Sequence, residues 1–265
     1  MRAVVTDAEV TLADVLSLRL AIDDPLTEDT ELVLRQRSGE AECRVPLGAP
    51  GARARDATLA VSLAPLALGP GRWDAYLARD GARTRLRSVD PGFSLDHLDA
   101  YALGRRTRAY RAYRTQGGYL ALKVDEVRPA AEVRAVWFRE GRFEVTGLLA
   151  FTGLEDDESR HEARLALRRS DDPDAGLSVA ATVQGVRFHA ALSLCDVVDA
   201  APARPGLWEP ELEVEGLSGP LRLAARLDDV DGKRRRLHYP AARIDGVPIK
   251  PCYTPDDELR IEVGA

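Results

Sequence analysis

The densest run of chemistry-bearing side chains in this sequence is GRRTRAYRAYRT, at 104–115. It sets Arg105, Arg106, Arg108, Arg111 and Arg114 around Tyr110 and Tyr113. A guanidinium is a planar fork of donors that grips two phosphate oxygens at once and stacks on aromatic rings. Arginines interleaved with tyrosines therefore suit an anionic ligand. If the run is a strand, residues of one parity share a face, and Arg108 and Arg114 flank Tyr110. A plainer reading stays open: an edge strand guarded by charge against aggregation. A second basic run, KRRRLHY at 233–239, stands in a roughly comparable late position of the second half.

Other constellations are weaker. Asp23, Asp24, Glu28, Asp29 and Glu31 crowd one loop, and Glu155, Asp156, Asp157 and Glu158 crowd another. Several carboxylates on a loop can take Ca²⁺, but the D-x-D-x-D-G spacing is missing and solvated loops are the simpler account. DDVDGK at 228–233 reads as an Asp231-Gly232 hairpin turn. His97, His161, His189 and His238 stand too far apart to make an i,i+2 or i,i+4 metal pair. Cys43, Cys195 and Cys252 form neither a C-x-x-C pair nor a disulfide framework, and read as small core residues. GLSGP at 216–220 is not a nucleophile elbow, and GAPGA at 48–52 lacks the Lys-Ser/Thr of a phosphate loop. The sequence thus assigns no catalytic residue, no metal and no cofactor.

Composition bounds the rest. The 265 residues are 45% apolar and 30% charged, with a net charge of −6 and a pI near 5.4. That describes a globular chain and disfavours general nucleic-acid binding. No apolar run approaches the roughly 20 residues of a membrane helix, and Asp7 and Glu9 interrupt any signal-peptide core, so the expected location is cytoplasmic. Asn is absent, and lysine occurs only at Lys123, Lys233 and Lys250 while Arg and Ala abound, the bias of a high-GC bacterial genome.

What must position these residues is a set of strands. VLSLRLAI, ELVLRQ, TLAVSLA, WDAYLA and YLALKV alternate apolar and polar at period two, as do RFEVTGLLAF, RLALRR, LSVAATV, RFHAALSL, ELEVEG, LRLAARL and LRIEV further on. DHLDAYALGRR (96–106) is the best candidate for one or two helical turns, and VRAVWFREGRF reads as a hairpin turning at Glu140-Gly141. The chain also echoes itself. Asp23-Asp24, Leu32, Leu34 and Arg35 fall on Asp156-Asp157, Leu165, Leu167 and Arg168 at an offset of 133. PGRWDAYLARDG (70–81) falls on PGLWEPELEVEG (205–216) at 135, and YRTQGGYLALKV (113–124) on CYTPDDELRIEV (252–263) at 139. Three matches in one order predict a duplicated module. The expected fold is all-β: two tandem antiparallel β-sandwiches, Ig-like or jelly-roll-like, over 1–126 and 132–265, joined by DEVRPAAE (125–132). Trp73 and Trp208, in matching places, are expected to plug the two cores.

The motifs PGRWDAYLARDGARTRLR and YRTQGGYLALKV resemble the β-sandwich modules attached to CDP-glycerol glycerophosphotransferases and related teichoic-acid-type glycosyltransferases of high-GC Gram-positive bacteria. The second half resembles them more faintly, through GLLAFTGL, LALRR, GVRFHAALSL and PGLWEPELEVEG. The catalytic transferase domain has no counterpart in the chain, so the resemblance implies the fold and a biosynthetic neighbourhood, not transferase activity. The leading expectation is a non-catalytic binding or accessory module of cell-envelope glycopolymer or polysaccharide synthesis. Its partners would be an anionic glycopolymer, a nucleotide-linked sugar or a glycosyltransferase. The alternative is a small-molecule cyclase or isomerase of secondary metabolism, which a closed cavity near Tyr110, Tyr113 or Trp137 would mark.

Overall fold

A computed structural model describes residues 2–48, 56–91, 95–201, 205–228, 230 and 232–264. GAPGA beyond Gly48 and the expected turn residue Asp231 lie outside them. The chain is all-β and divides into two compact units: Met1–Tyr101 with Arg106–Val127, and Ala102–Arg105 with Arg128–Ala265.

The first unit runs β1 (Ala3–Val10), β2 (Val15–Ile22), β3 (Glu31–Gln36), β4 (Glu42–Pro46), β5 (Asp56–Ser62), β6 (Gly71–Arg79), β7 (Ala82–Arg85), β8 (Arg87–Ser88), α1 (Leu95–Leu103), β9 (Arg108–Arg114) and β10 (Leu120–Glu126). Its strands form two sheets, β5-β2-β1-β8 and β4-β3-β6-β10-β9, with β7 paired to β6. Period-two alternation fixes which side is buried. Leu16, Leu18 and Leu20 of β2 and Leu59 and Val61 of β5 point inward from one sheet, and Leu32, Leu34, Trp73, Leu77, Leu122 and Val124 from the other.

The second unit runs β11 (Ala130–Arg139), β12 (Arg142–Ala150), β13 (Arg160–Arg169), β14 (Asp172–Gln184), β15 (Arg187–Ser193), α2 (Leu194–Ala200), β16 (Gly206–Val214), β17 (Leu221–Ala224), α3 (Lys233–Arg236), β18 (Ala242–Ile244), β19 (Val247–Tyr253) and β20 (Leu259–Val263). Its strands form one continuous ladder, β13-β14-β15-β12-β11-β17-β16-β20-β19-β18, and the β13–β16 pairing closes it into a barrel. This differs from two separate layers. β14, at 13 residues, pairs with β13 from Asp172 to Gln184 and, over its last four residues, with β15 on its other edge, so the ladder continues from β13 through β14 to β15.

The same pairings recur in both units. β1 pairs with β2 antiparallel and β8 parallel, as β11 pairs with β12 and β17. Both first strands carry a register shift, at Val5/Asp7 and at Val133/Ala135. Trp73 stands between Gln36 and Leu122 on its neighbouring strands, and Trp208 between Arg169 and Ile261. The indoles are 2% and 0% exposed, and Trp73 donates its ring N–H to the carbonyl of Gly69 at 3.0 Å. Burying such a ring removes the largest apolar surface any side chain offers.

Three local expectations change. The segment 125–132 is mostly strand: only Val127–Pro129 separates β10 from β11, and Glu132 lies inside β11 at 2% exposure. Gly232, at φ 70°, precedes the one-turn helix α3 and not the second arm of a hairpin. Cys195 is exposed at the start of α2, where Ser193 Oγ caps its N–H, while Cys43 and Cys252 are half-buried. The Glu140-Gly141 turn does join β11 to β12, with φ of 52° and 69°, the pair of positive values that suits a tight antiparallel hairpin.

Candidate functional site

β9 holds most of the arginine–tyrosine run, and its alternation splits that run between two faces. Tyr110 (5% exposed) and Ala112 (2%) point into the first core. Arg108 and Arg114 do share their parity, but at the strand ends, where they donate to the carbonyls of Leu68 and Val89, each at 3.2 Å. Arg111 and Tyr113 belong to the opposite, outer face. Arg106 lies before the strand. It pairs with Asp14 at 2.6 Å, stacks 3.7 Å from the centre of the Tyr101 ring and donates to the Leu12 and Tyr101 carbonyls. Tyr101 donates in turn to Asp14 and accepts the N–H of Tyr110. Burial and the Asp14 carboxylate push the Tyr101 phenol well above its ordinary range, so it stays protonated as that donor. Arg106 is thus a clamp on the fold. Arg105 is exposed and belongs to the second unit, where its side chain crowds Gly153.

The outer face of β4-β3-β6-β10-β9 gathers cations that lie far apart in sequence. Register puts Arg111 opposite Lys123 and Lys123 opposite Arg72, so three cations follow one another across three strands. The next row is Tyr113, Ala121, Asp74, Arg35 and Glu42, and the one after holds Arg85, Tyr76, Val33 and Arg44. The carboxylates on this face are engaged by cations, as Glu31 is by Arg44 at 3.0 Å. Asp74 accepts from Arg37 at 2.5 Å and Arg85 at 2.7 Å. Glu42 accepts from Arg83 at 2.6 Å and Arg44 at 2.9 Å, and these donors hold its carboxyl below the usual carboxylate range. Asp125 stands 3.2 Å from Lys123. The Arg111–Lys123–Arg72 row itself contains no acid. Beside it, the hydroxyl of half-buried Tyr113 is covered yet makes no hydrogen bond among the described residues. The Arg85 guanidinium lies 4.4 Å from the centre of the Tyr119 ring.

The corresponding face of the second unit is neutralised. Lys250, Glu262 and Leu207 stand where Arg111, Lys123 and Arg72 stand in the first, and Lys250 pairs with Glu262 at 2.8 Å. Glu209 takes Arg222 at 2.5 Å and Arg260 at 2.8 Å, and Arg168 lies 3.0 Å from Glu213. The basic run KRRRLHY is not the positional partner of β9. That place belongs to β19, which pairs with β20 as β9 pairs with β10, while KRRR forms α3.

Among the described residues, the second unit holds a buried polar cluster that the first does not repeat. Glu132 Oε1 accepts the N–H groups of Arg226 and Leu227 at 2.8 and 2.7 Å. Desolvation outweighs those bonds and pushes its carboxyl up to about 7. Lys233, 2% exposed, donates to Asp228 Oδ1 and the Val230 carbonyl, both at 2.7 Å. Sequence reasoning missed Glu132 because it follows Pro129-Ala-Ala, where no alternation shows. At the same register position β1 carries Val4.

Remaining expectations resolve simply. Asp156 pairs with Arg187, Asp157 caps Ser159, and no three metal-ligating side chains come together among the described residues. His189 pairs with Glu144 at 2.9 Å on the strand surface. Two open concavities lie away from Tyr110, Tyr113 and Trp137. One, about 440 Å³, is lined by Thr6, Arg19 and Asp90; the other, about 560 Å³, by Glu162, Arg164 and Glu213. Among the described residues no helix is long and apolar enough to cross a membrane.

The chain is therefore an all-β protein whose first unit presents one cationic sheet face. No family model matches it, and no curated protein matches it. Among solved structures it is similar to S. aureus TarS, with 11% identity over 83% of this chain and 39% of that one, at a TM-score of 0.36. A TarS fragment gives 10% identity over 83% and 61%, at 0.35, and a group B Streptococcus pullulanase gives 8% over 83% and 22%, at 0.23. The chain thus spans less than two thirds of each of these chains, and likeness this low defines no shared site.

Proposed function

We propose that the protein is a non-catalytic binding module, built from a duplicated β unit, that holds an anionic, phosphate-bearing glycopolymer of cell-envelope synthesis on the outer face of its first unit. The observation that carries this reading is the row Arg111–Lys123–Arg72, three cations in register across three adjacent strands. Paired strands lie about 4.8 Å apart, so the row spans about 10 Å and can take more than one phosphate of a repeating chain. Arginine forks would take phosphate oxygens in pairs. The identity of the polymer as teichoic-acid-like rests on the sequence resemblance.

Calorimetry with teichoic-acid fragments and with CDP-glycerol tests this reading on the wild type and on Arg72→Ala with Arg111→Ala. Binding to the polymer that weakens at least tenfold in the double variant supports it. Absence of heat from both ligands at millimolar concentration, or equal affinity in the variant, overturns it.

A further inference from the structure

We propose that α3 is a second, independent anion-binding element, which presents Arg234, Arg235 and Arg236 to the phosphates of a linear polyanion. Helix α3 is four residues long, Lys-Arg-Arg-Arg, and its geometry is held from below. Lys233 is buried with its ammonium between Asp228 Oδ1 and the Val230 carbonyl, and its N–H donates to Asp257 Oδ1 at 3.0 Å. Leu237 closes the turn by donating its N–H to the Lys233 carbonyl at 2.8 Å. Glu132 secures the chain where it enters this segment, through Arg226 and Leu227.

Taking the Lys233 ammonium and the Glu132 carboxyl out of water is costly, and a single turn too short to be stable alone returns little packing for it. What the anchoring does produce is a fixed platform. The three arginines beyond Lys233 are exposed, and none makes a side-chain hydrogen bond or ion pair among the described residues. Several sheet arginines of this unit are matched to acids: Arg168 to Glu211 and Glu213, Arg222 to Glu209, Arg260 to Glu209. The first unit fills the same interval of its pairing order with α1, whose sequence LDHLDAYAL has no arginine. Among the described residues, a cationic turn without acid partners and pinned by a buried lysine is thus found in the second unit and not in the first. Successive helical residues diverge by about 100°, so the arginines fan out. A chain of closely spaced phosphates can meet all three, and an isolated phosphate cannot.

The inference shares with the proposed function only the chemistry of the ligand, and the two can fail separately. The test uses the full chain and fluorescently labelled inorganic polyphosphate, with anisotropy measured from about 50 to 300 mM NaCl. Each lost ion contact should flatten the dependence of affinity on salt. Arg234→Ala with Arg235→Ala and Arg236→Ala should weaken binding at least tenfold and flatten that dependence, with an unchanged melting temperature. A control removes three scattered exposed arginines of the same unit, Arg128, Arg142 and Arg160, and should weaken binding less. Equal loss in the control reduces the effect to bulk charge and overturns the inference, as does wild-type affinity in the α3 variant. If Arg72→Ala with Arg111→Ala abolishes binding and the α3 variant does not, the inference falls and the proposed function stands. The reverse pattern retains α3 and removes the first-unit face.

Discussion

Arg111 and Lys250 occupy the same position in their two units, yet Arg111 faces Lys123 across the ladder and Lys250 faces Glu262. One exchange of charge thus separates a row of three cations from a row that contains its own ion pair. Lys123→Glu copies the second unit's arrangement into the first. Exposed pairs contribute about 0–1 kcal/mol, so the variant should keep its stability within about 1 kcal/mol by urea denaturation. Its affinity for a teichoic-acid fragment, by calorimetry, should fall at least tenfold.

Arg106 should behave oppositely to Arg72 and Arg111. Its removal leaves Asp14 without its guanidinium and Tyr101 without its stacked cation. Arg106→Ala should cost about 2 kcal/mol in denaturant, while the affinity of the folded protein for anionic polymer stays within about twofold. Equal losses of affinity in Arg106→Ala and Arg111→Ala would mean that the arginine run acts as one patch.

The matched indoles make a prediction in stability. Trp73→Ala and Trp208→Ala should each cost about 3–5 kcal/mol, read from denaturation curves of the two variants. A loss below about 1 kcal/mol at either position would contradict its burial.

Glu132 ties stability to pH. Its carboxyl titrates near 7 when folded and near 4.5 when unfolded, so the folded state binds the proton more tightly. Stability is therefore fully present below pH about 4.5 and declines as pH rises through 7, by about 3 kcal/mol at the limit. Glu132→Gln keeps an oxygen to accept from Arg226 and Leu227 but cannot ionise. It should remove this decline, so that melting temperatures of variant and wild type converge at pH 5 and separate at pH 8.

Much of the fold was legible because repetition and alternation are both properties of the chain itself. The offsets 133, 135 and 139 correspond to the pairs Gln36/Arg169, Trp73/Trp208 and Leu122/Ile261, which hold the same places in the two ladders. The barrel closure was not legible, since nothing local in β13 says that it pairs with β14 on one edge and β16 on the other. The candidate face was only half legible. Arg111 and Tyr113 stood out within one run, but Arg35, Arg72 and Lys123 come from three other strands and meet only through register. Glu132 escaped notice because a strand buried on both sides shows no period, and an acid in such a strand looks like linker.

The closure of the second unit also governs the order in which its hydrogen bonds can open. An open sheet has outermost strands, and in the first unit β5 and β4 each have a neighbour on one side only within their sheets. Such strands can peel away singly, giving their amides to solvent while the rest stays folded. In the ring formed by β11 to β17 each strand is held from both sides, so no member can leave without breaking two ladders at once. Amide exchange in the first unit should therefore begin at its margins and proceed inward strand by strand. In the second it should come late and nearly together, leaving β18, at the end of the branch beyond the ring, to exchange early.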